Sequence, residues 1–209
     1  LPQGQLRVEV AAGLGGLALL LGLALAAWYR PALAWAAAAG AGIYLLVYTW
    51  ALKRRTILNI VIGGAAGSAA VISGAAVVGR WFDPAAWALA ALVFLWTPTH
   101  FWSLALVYRE DYRRAGFPML PVRISPRHAA WWVALHTGAS VLVALLMAVW
   151  PRLGWPYALL VFGPSVYYLY RTARLVRTPS AREARRLFHL SNLYLAWVTL
   201  AAAGVALMG

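Results

Sequence analysis

Residues 8 to 28 read VEVAAGLGGLALLLGLALAAW, and Glu9 is the only charged residue among them. A run of this kind is long enough to cross a bilayer as a helix, because about 20 residues span roughly 30 Å of hydrocarbon. Six further apolar runs follow at about 32–52, 57–79, 85–108, 129–150, 155–170 and 190–208. The sequence therefore predicts an all-α fold, a polytopic transmembrane helical bundle of about seven spans that forms a single domain over residues 1–209.

The composition excludes an ordinary soluble domain. Of the 209 residues 64% are hydrophobic and 11% charged, whereas soluble domains carry about 25% charged residues. The net charge of +13 comes from basic residues in short connections between apolar runs, which favours anionic lipid headgroups and anionic substrates over nucleic acid as partners. The chain has no cysteine, which excludes disulfides and thiolate chemistry.

The basic residues separate onto one side of the predicted bundle. Fifteen of the 18 lysines and arginines lie in alternate connections, around residues 7, 53–55, 109–127 and 171–186, and the other three lie on the opposite side. Since lysine and arginine accumulate in cytoplasmic connections, the first set is predicted to be cytoplasmic. The N-terminus is then inside and the C-terminus outside, as an odd number of spans requires.

Lys53, Arg54 and Arg55 stand directly before the third run. Such a cluster is typical of a cytoplasmic connection, and it is also suited to hold a polyanion such as diphosphate, because the planar fork of arginine bonds phosphate oxygens in pairs. The sequence leaves both interpretations open. Small or polar residues then recur at helical spacing and predict a face for close helix packing. They are Asn59, Gly63, Gly67 and Gly74.

The fourth run contains WTPTHFW at residues 96–102. Pro98 removes a backbone hydrogen bond, and His100 places an ionisable group inside the membrane, where such groups usually face a cavity or the bundle interior. A single histidine can also be a plain hydrogen-bonding group, so both roles stay open. If the helix continues beyond the run, Asp111 lies on the face of His100, about 16 Å along the axis, and Glu110 is turned about 100° away.

The connection after this run reads REDYRRAGFPMLPV at residues 109–122 and holds two of the five acidic residues of the chain. One interpretation is a solvated run of charges. The stiff apolar stretch at residues 118–121 instead favours a loop that is packed against the membrane face of the bundle.

These segments together resemble the protohaem IX farnesyltransferases, or haem O synthases, a family of UbiA-type intramembrane prenyltransferases. The resemblance rests on residues 48–67, 96–102 and 111–122, which follow the order and spacing of the family, and it covers essentially the whole chain. It implies a nine-helix enzyme of the bacterial cytoplasmic membrane that transfers a farnesyl group from farnesyl diphosphate to a vinyl group of haem B, giving haem O.

The resemblance also implies site residues, cofactors and partners. The matching residues are Asp111 and Glu110 for Mg²⁺, Lys53, Arg54 and Arg55 for the diphosphate, and Asn59 and His100 for catalysis. His100 would either face the acceptor or ligate the haem iron. Mg²⁺ is the implied cofactor, and the implied partners are farnesyl diphosphate, haem B and membrane lipids, with haem A synthase or oxidase assembly factors as further candidates.

One departure from the family affects the whole assignment. The first aspartate-rich motif of the family has no counterpart, and the opening residues 1–6 resemble the stretch just after it. The chain therefore corresponds to family helices three to nine and is expected to be truncated at its N-terminus. Two alternatives stay open: a related polyprenyltransferase that acts on a quinone precursor, and a non-catalytic membrane protein for haem binding or assembly.

Overall fold

The computed structural model describes residues 4–208, and within them the chain forms nine α-helices. Helix α2 continues directly into a π-helical segment, and α7 ends in a short 3₁₀ turn. The helices are α1 (Val8–Tyr29), α2 (Pro31–Gly42, with the π-helical segment Ile43–Leu52), α3 (Asn59–Val77), α4 (Pro84–Val107), α5 (Arg109–Arg114), α6 (Leu120–Arg123), α7 (Pro126–Leu146, with the 3₁₀ turn Met147–Val149), α8 (Gly154–Arg177) and α9 (Ala181–Met208).

Six of these helices are long and apolar enough to cross a membrane: α1, α2 with its π-helical segment, α3, α4, α7 and α9. Helix α8 has 24 residues, but its four tyrosines and two prolines lower its mean hydropathy. The prediction of an all-α, multispan membrane bundle is confirmed, with six spans by length and composition. Helix α8 is the seventh long helix and corresponds to the predicted run 155–170.

Helix α4 is the centre of the bundle. It packs against α3, α7 and α9, and α8 fills the space between α7 and α9, so that α4, α7, α8 and α9 form a four-helix unit. Large side chains such as Trp102, Tyr157 and Tyr168 are fully buried in this unit. Helices α1, α2 and α3 extend from α4 as a row of neighbours, and α1 buries none of its residues.

Glycines in α3 allow close contacts, as the sequence predicts. A Cβ atom on Gly63 would lie 2.7 Å from the ring of Tyr48 in the π-helical segment, and one on Gly67 would lie 3.0 Å from Val93 in α4. Close packing is therefore confirmed at these two positions. The prediction of close packing is wrong at Gly74, where a Cβ would meet nothing within 4 Å.

Gly64 of α3 also packs closely against the backbone of α4. A Cβ there would lie 3.2 Å from Cβ of Thr97 and 3.3 Å from the carbonyl oxygen of Phe94. That carbonyl has no helical partner, because Pro98, four residues further on, has no N–H. Gly64 thus packs against the turn that the proline modifies, and α4 remains helical through it.

Candidate functional site

A cavity of about 360 Å³ lies between the π-helical segment, α3, α4 and the connection that contains α5 and α6. Lys53 and three tyrosines, among them Tyr112, form its polar part. Its apolar walls come from Ile60, Phe101 and Met119. Because Lys53 ends the second span and precedes α3, the polar part lies at the predicted cytoplasmic end of the bundle.

Lys53 is the only lysine of the chain, and its side chain lies among aromatic rings. Its Nζ is 5.7 Å from the ring centroid of Tyr48 and 5.6 Å from that of Phe117, distances at which a ring face attracts a cation. Within residues 4–208 no carboxylate forms a salt bridge with this ammonium group. Its charge therefore remains available to an anion in the cavity.

The side chains of the two arginines after Lys53 lie against different aromatic rings. The guanidinium carbon of Arg54 lies 5.7 Å from the ring centroid of Phe117, beside the cavity. That of Arg55 lies 5.9 Å from the ring of Trp50 instead. Of the three residues predicted to bind diphosphate, Lys53 lines the cavity, Arg54 shares an aromatic neighbour with it, and Arg55 contacts a different ring.

Asn59 begins α3 and is fully buried. Its side-chain nitrogen donates to the carbonyl oxygen of Lys53, at 3.3 Å, which fixes the turn between the second and third spans. Its Oδ1 atom is buried and accepts no hydrogen bond from the described residues. Asn59 thus holds Lys53 in place and keeps one unsatisfied acceptor close to it.

The connection after α4 folds back onto the bundle. Arg109 donates from Nε to the carbonyl of Pro121, at 2.5 Å, and from Nη2 to that of Ile124, at 3.3 Å. Met119 and Leu120 are 4% and 5% exposed. The prediction of a packed loop is therefore confirmed.

The expectation that His100 and Asp111 share one helical face is wrong. Helix α4 ends at Val107, and Tyr108, with φ −103° and ψ 30°, separates it from α5. Counting residues along a continuous helix therefore does not relate the two side chains. The break allows the connection to turn towards the π-helical segment, where Tyr112 and Phe117 reach the cavity.

The two carboxylates of this connection have different surroundings. Glu110 is paired with Arg113 at 2.5 Å and with Arg114 at 3.4 Å, whereas Asp111 is exposed and makes no salt bridge within residues 4–208. The described part of the chain contains no group of three acidic, histidine or cysteine side chains that could hold a metal. Beside Asp111, burial raises the pKa of Tyr112, so its hydroxyl stays a neutral donor.

His100 lies on another side of α4 and does not line the cavity. Its ring stacks between those of Trp96 and Phe188, with centroids 4.5 Å away on each side. Its Nδ1 is 3.0 Å from the hydroxyl of Ser191, which donates its own hydrogen to the carbonyl of Phe188. With the Ser191 hydrogen on the Phe188 carbonyl, Nδ1 is the donor to Ser191 and Nε2 keeps a free lone pair. The structure thus places His100 against α9 and apart from Lys53.

Residues 1–207 match the model of the UbiA prenyltransferase family. The chain belongs to the UbiA prenyltransferase family. In fold, this UbiA family member is similar to a solved structure reported in a study of digeranylgeranylglyceryl phosphate synthase in membranes. The two agree with a TM-score of 0.82 at 18% identity, over 99% of this chain and 73% of the other.

Three similar proteins are named as protoheme IX farnesyltransferases. The chain is 42% identical to "Protoheme IX farnesyltransferase" of Alkalilimnicola ehrlichii, over 93% of this chain and 65% of that protein. It is 38% identical to the protein of that name from Sulfurisphaera tokodaii, over 95% and 65%, and 44% identical to "Protoheme IX farnesyltransferase 1" of Saccharopolyspora erythraea, over 77% and 52%. This UbiA family member therefore spans about half to two thirds of the length of these curated relatives.

Sequence reasoning missed the aromatic residues of the site. Tyr112 and Phe117 belong to segments that the sequence singles out for other reasons, and Phe188 and Ser191 lie about 90 residues beyond the histidine that they hold. The structure adds one signal, the π-helical segment, because π-helical turns occur frequently at functional sites. The hydropathy pattern does not reveal these site residues, because an aromatic residue that lines a site and one that faces lipid contribute to it in the same way.

Proposed function

We propose that this UbiA family member forms most of the membrane body of an enzyme that transfers a farnesyl group from farnesyl diphosphate to a vinyl group of haem B. The observation that carries this proposal is the cavity, which joins an unpaired ammonium group to apolar walls. The names of the relatives support these substrates. Since the chain spans part of their length, the activity is proposed for the whole protein.

The cavity is suited to a prenyl diphosphate at both of its ends. The diphosphate would lie beside Lys53 and Arg54, and the farnesyl chain would lie along Ile60 and Phe101. When the bond between carbon and oxygen breaks, the diphosphate leaves with the electron pair. The two cations would stabilise this growing charge, and they do so more strongly in a site that excludes water. Tyr112 would donate a further hydrogen bond. The farnesyl cation would then bond to the terminal vinyl carbon of haem B, and a water molecule would add to the other vinyl carbon and lose a proton.

Two residues beside the cavity, Asp111 and Asn59, would hold Mg²⁺, although neither of them lines the cavity itself. Mg²⁺ is usually held by one or two carboxylates together with phosphate oxygens and water, so a set of three protein ligands is not required. Asp111 would be the carboxylate, because Glu110 is already paired with two arginines. The unsatisfied Oδ1 of Asn59 is a second oxygen close to Lys53. The bound ion would neutralise the leaving diphosphate.

His100 would serve the acceptor. Its ring is fixed by two aromatic neighbours and one hydroxyl, and Nε2 is free to accept a proton or to ligate haem iron. A histidine that binds a metal generally donates its other N–H to an oriented partner, as Nδ1 does here to Ser191. Its separation from the cavity is compatible with an acceptor that approaches from the side of α9.

The test measures haem O formation by a protein in which this chain follows the first two helices of the Alkalilimnicola ehrlichii relative. Asp111→Asn is expected to lower turnover about 100-fold or more, as the loss of a single electrostatic group in a reaction centre does. Glu110→Gln is the matched control and should remain within about threefold, because its ion pairs are exposed. Equal turnover of Asp111→Asn and the unaltered protein would remove Asp111 from the site.

The same assay separates the alternatives. If a quinone precursor is prenylated and haem B is not, the protein is a related polyprenyltransferase and not a haem O synthase. Binding of haem B without any transfer would support a non-catalytic role. The chain without the added helices is expected to form little or no haem O, because only one of the two acidic motifs of the family is present.

A further inference from the structure

A groove of about 450 Å³ runs between α7 and α8 and shares no lining residue with the proposed reaction centre. Arg127 and Arg177 stand at its mouth. Its walls are Trp131 and Ala134 of α7 and Leu169 and Val176 of α8. The groove thus joins two cations to a strip of apolar surface.

The groove runs from the predicted cytoplasmic end of the bundle along the two helices. Arg127 belongs to the first turn of α7 and Arg177 is the last residue of α8, so both lie at the end where the basic connections gather. Residues 127, 131 and 134 share one face of α7, and the groove follows that face over about 10 Å. A ligand that lies along it would have a polar group at the headgroup layer and a chain in the hydrocarbon.

The two arginines at the mouth lack an acidic partner among residues 4–208. The acidic side chains that form salt bridges there do so with other arginines: Glu9 with Arg7, Asp83 with Arg80, Glu110 with Arg113 and Arg114, and Glu183 with Arg171, Arg174 and Arg186. Asp111, which forms none, does not line the groove. The mouth therefore carries two uncompensated charges.

We propose that this groove binds one anionic phospholipid of the cytoplasmic leaflet. The two guanidinium groups would bond the phosphate and its anionic headgroup, since arginine matches phosphate oxygens in pairs, and an acyl chain would lie against Trp131 and Leu169. Basic pockets between transmembrane helices on the cytoplasmic side suit anionic headgroups in this way. A second copy of the chain is a poor occupant, because two such mouths would bring four like charges together.

The experiment is native mass spectrometry of the purified chain in detergent, titrated with phosphatidylglycerol or with phosphatidylcholine. The unaltered chain is expected to bind one phosphatidylglycerol about 30-fold more tightly than phosphatidylcholine, since each arginine contributes about fivefold. The double variant Arg127→Gln with Arg177→Gln should lose this preference. The matched control is Arg123→Gln with Arg182→Gln, which removes the same charge from the same side outside the groove and should keep the preference.

Four results of the lipid titration would overturn the proposal. They are equal binding of the two lipids, an unchanged preference in the groove variant, an equal loss in the control variant, and displacement of the lipid by inorganic phosphate at a similar concentration, which would indicate a plain phosphate site. A dimer that disappears when Trp131 is changed to Ala would also overturn it, because a second copy would then be the occupant.

Circular dichroism and the melting temperature of each variant show whether the fold is retained. A misfolded double variant is replaced by Arg127→Lys with Arg177→Lys, which keeps the charge and should retain part of the preference, and complete loss would contradict the proposal.

Discussion

The ion cluster at the start of α9 allows a stability prediction from distances and burial. Glu183 has a side chain that is 7% exposed, and it accepts from Arg171 at 2.6 Å and from Arg186 at 3.0 Å, with Arg174 at 3.7 Å. Because Arg171 and Arg174 belong to α8, the cluster joins the last two long helices. It also precedes the turn of α9 that holds Ser191 against His100.

The change Glu183→Gln keeps the size of the side chain and removes its charge. Breaking a buried pair costs about 3–5 kcal/mol when the remaining charge stays buried. Here Arg174 and Arg186 are 45% and 53% exposed and can be solvated by water, so mainly Arg171, at 13%, is left uncompensated. We therefore expect a loss of about 2–3 kcal/mol in the free energy of unfolding, with a fall in melting temperature of about 5–10 °C.

The assay is thermal unfolding in detergent, followed by tryptophan fluorescence. Glu110→Gln is the control, because it makes the same chemical change in a carboxylate whose side chain is 53% exposed. It should cost no more than about 1 kcal/mol. Equal melting temperatures for the two variants would contradict this prediction, because burial would then not decide what an ion pair contributes.

Two further predictions concern packing and topology. Gly64→Ala is expected to lower the melting temperature by an amount that corresponds to about 1–2 kcal/mol, because its Cβ would meet Thr97 and a backbone oxygen, whereas Gly74→Ala has open space and should be neutral or stabilising. The chain has no native cysteine, so single cysteines report sidedness cleanly. An impermeant thiol reagent applied from outside should label cysteines at positions 30 and 152 and spare those at 54 and 113. The reverse pattern would overturn the predicted orientation.

The spans were predictable because the hydrocarbon core sets both their length and their composition. Their ends were less so. The predicted runs stop where charges begin, near 170 and again near 190, yet α8 continues to Arg177 and α9 begins at Ala181. Backbone hydrogen bonds continue the helices into water, and the ion pairs of Glu183 stabilise that extension. Hydropathy therefore predicts the part of each helix that lies in the bilayer and misses the part that extends beyond it.

The candidate site was predictable in part. The basic cluster indicated Lys53, and its proximity to Asn59 follows from local spacing along the chain. The prediction that Asp111 and His100 share a helical face was wrong, because the helix breaks at Tyr108 and no proline or glycine in the sequence marks that break. Two partners of His100, Phe188 and Ser191, lie on α9. Which helix packs against His100 depends on the arrangement of the whole bundle, and local sequence patterns do not contain that information.

The most direct test of the central claim uses the fact that Lys53 is the only lysine. The rate at which an amine-reactive reagent modifies Lys53 is measured by mass spectrometry of its peptide, for the chain in lipid nanodiscs, with and without farnesyl thiodiphosphate and Mg²⁺. At a ligand concentration ten times its Kd, the rate should fall about tenfold, and farnesol, which lacks the diphosphate, should give no protection. An unchanged rate in the presence of saturating ligand would contradict the claim that this cavity holds the diphosphate.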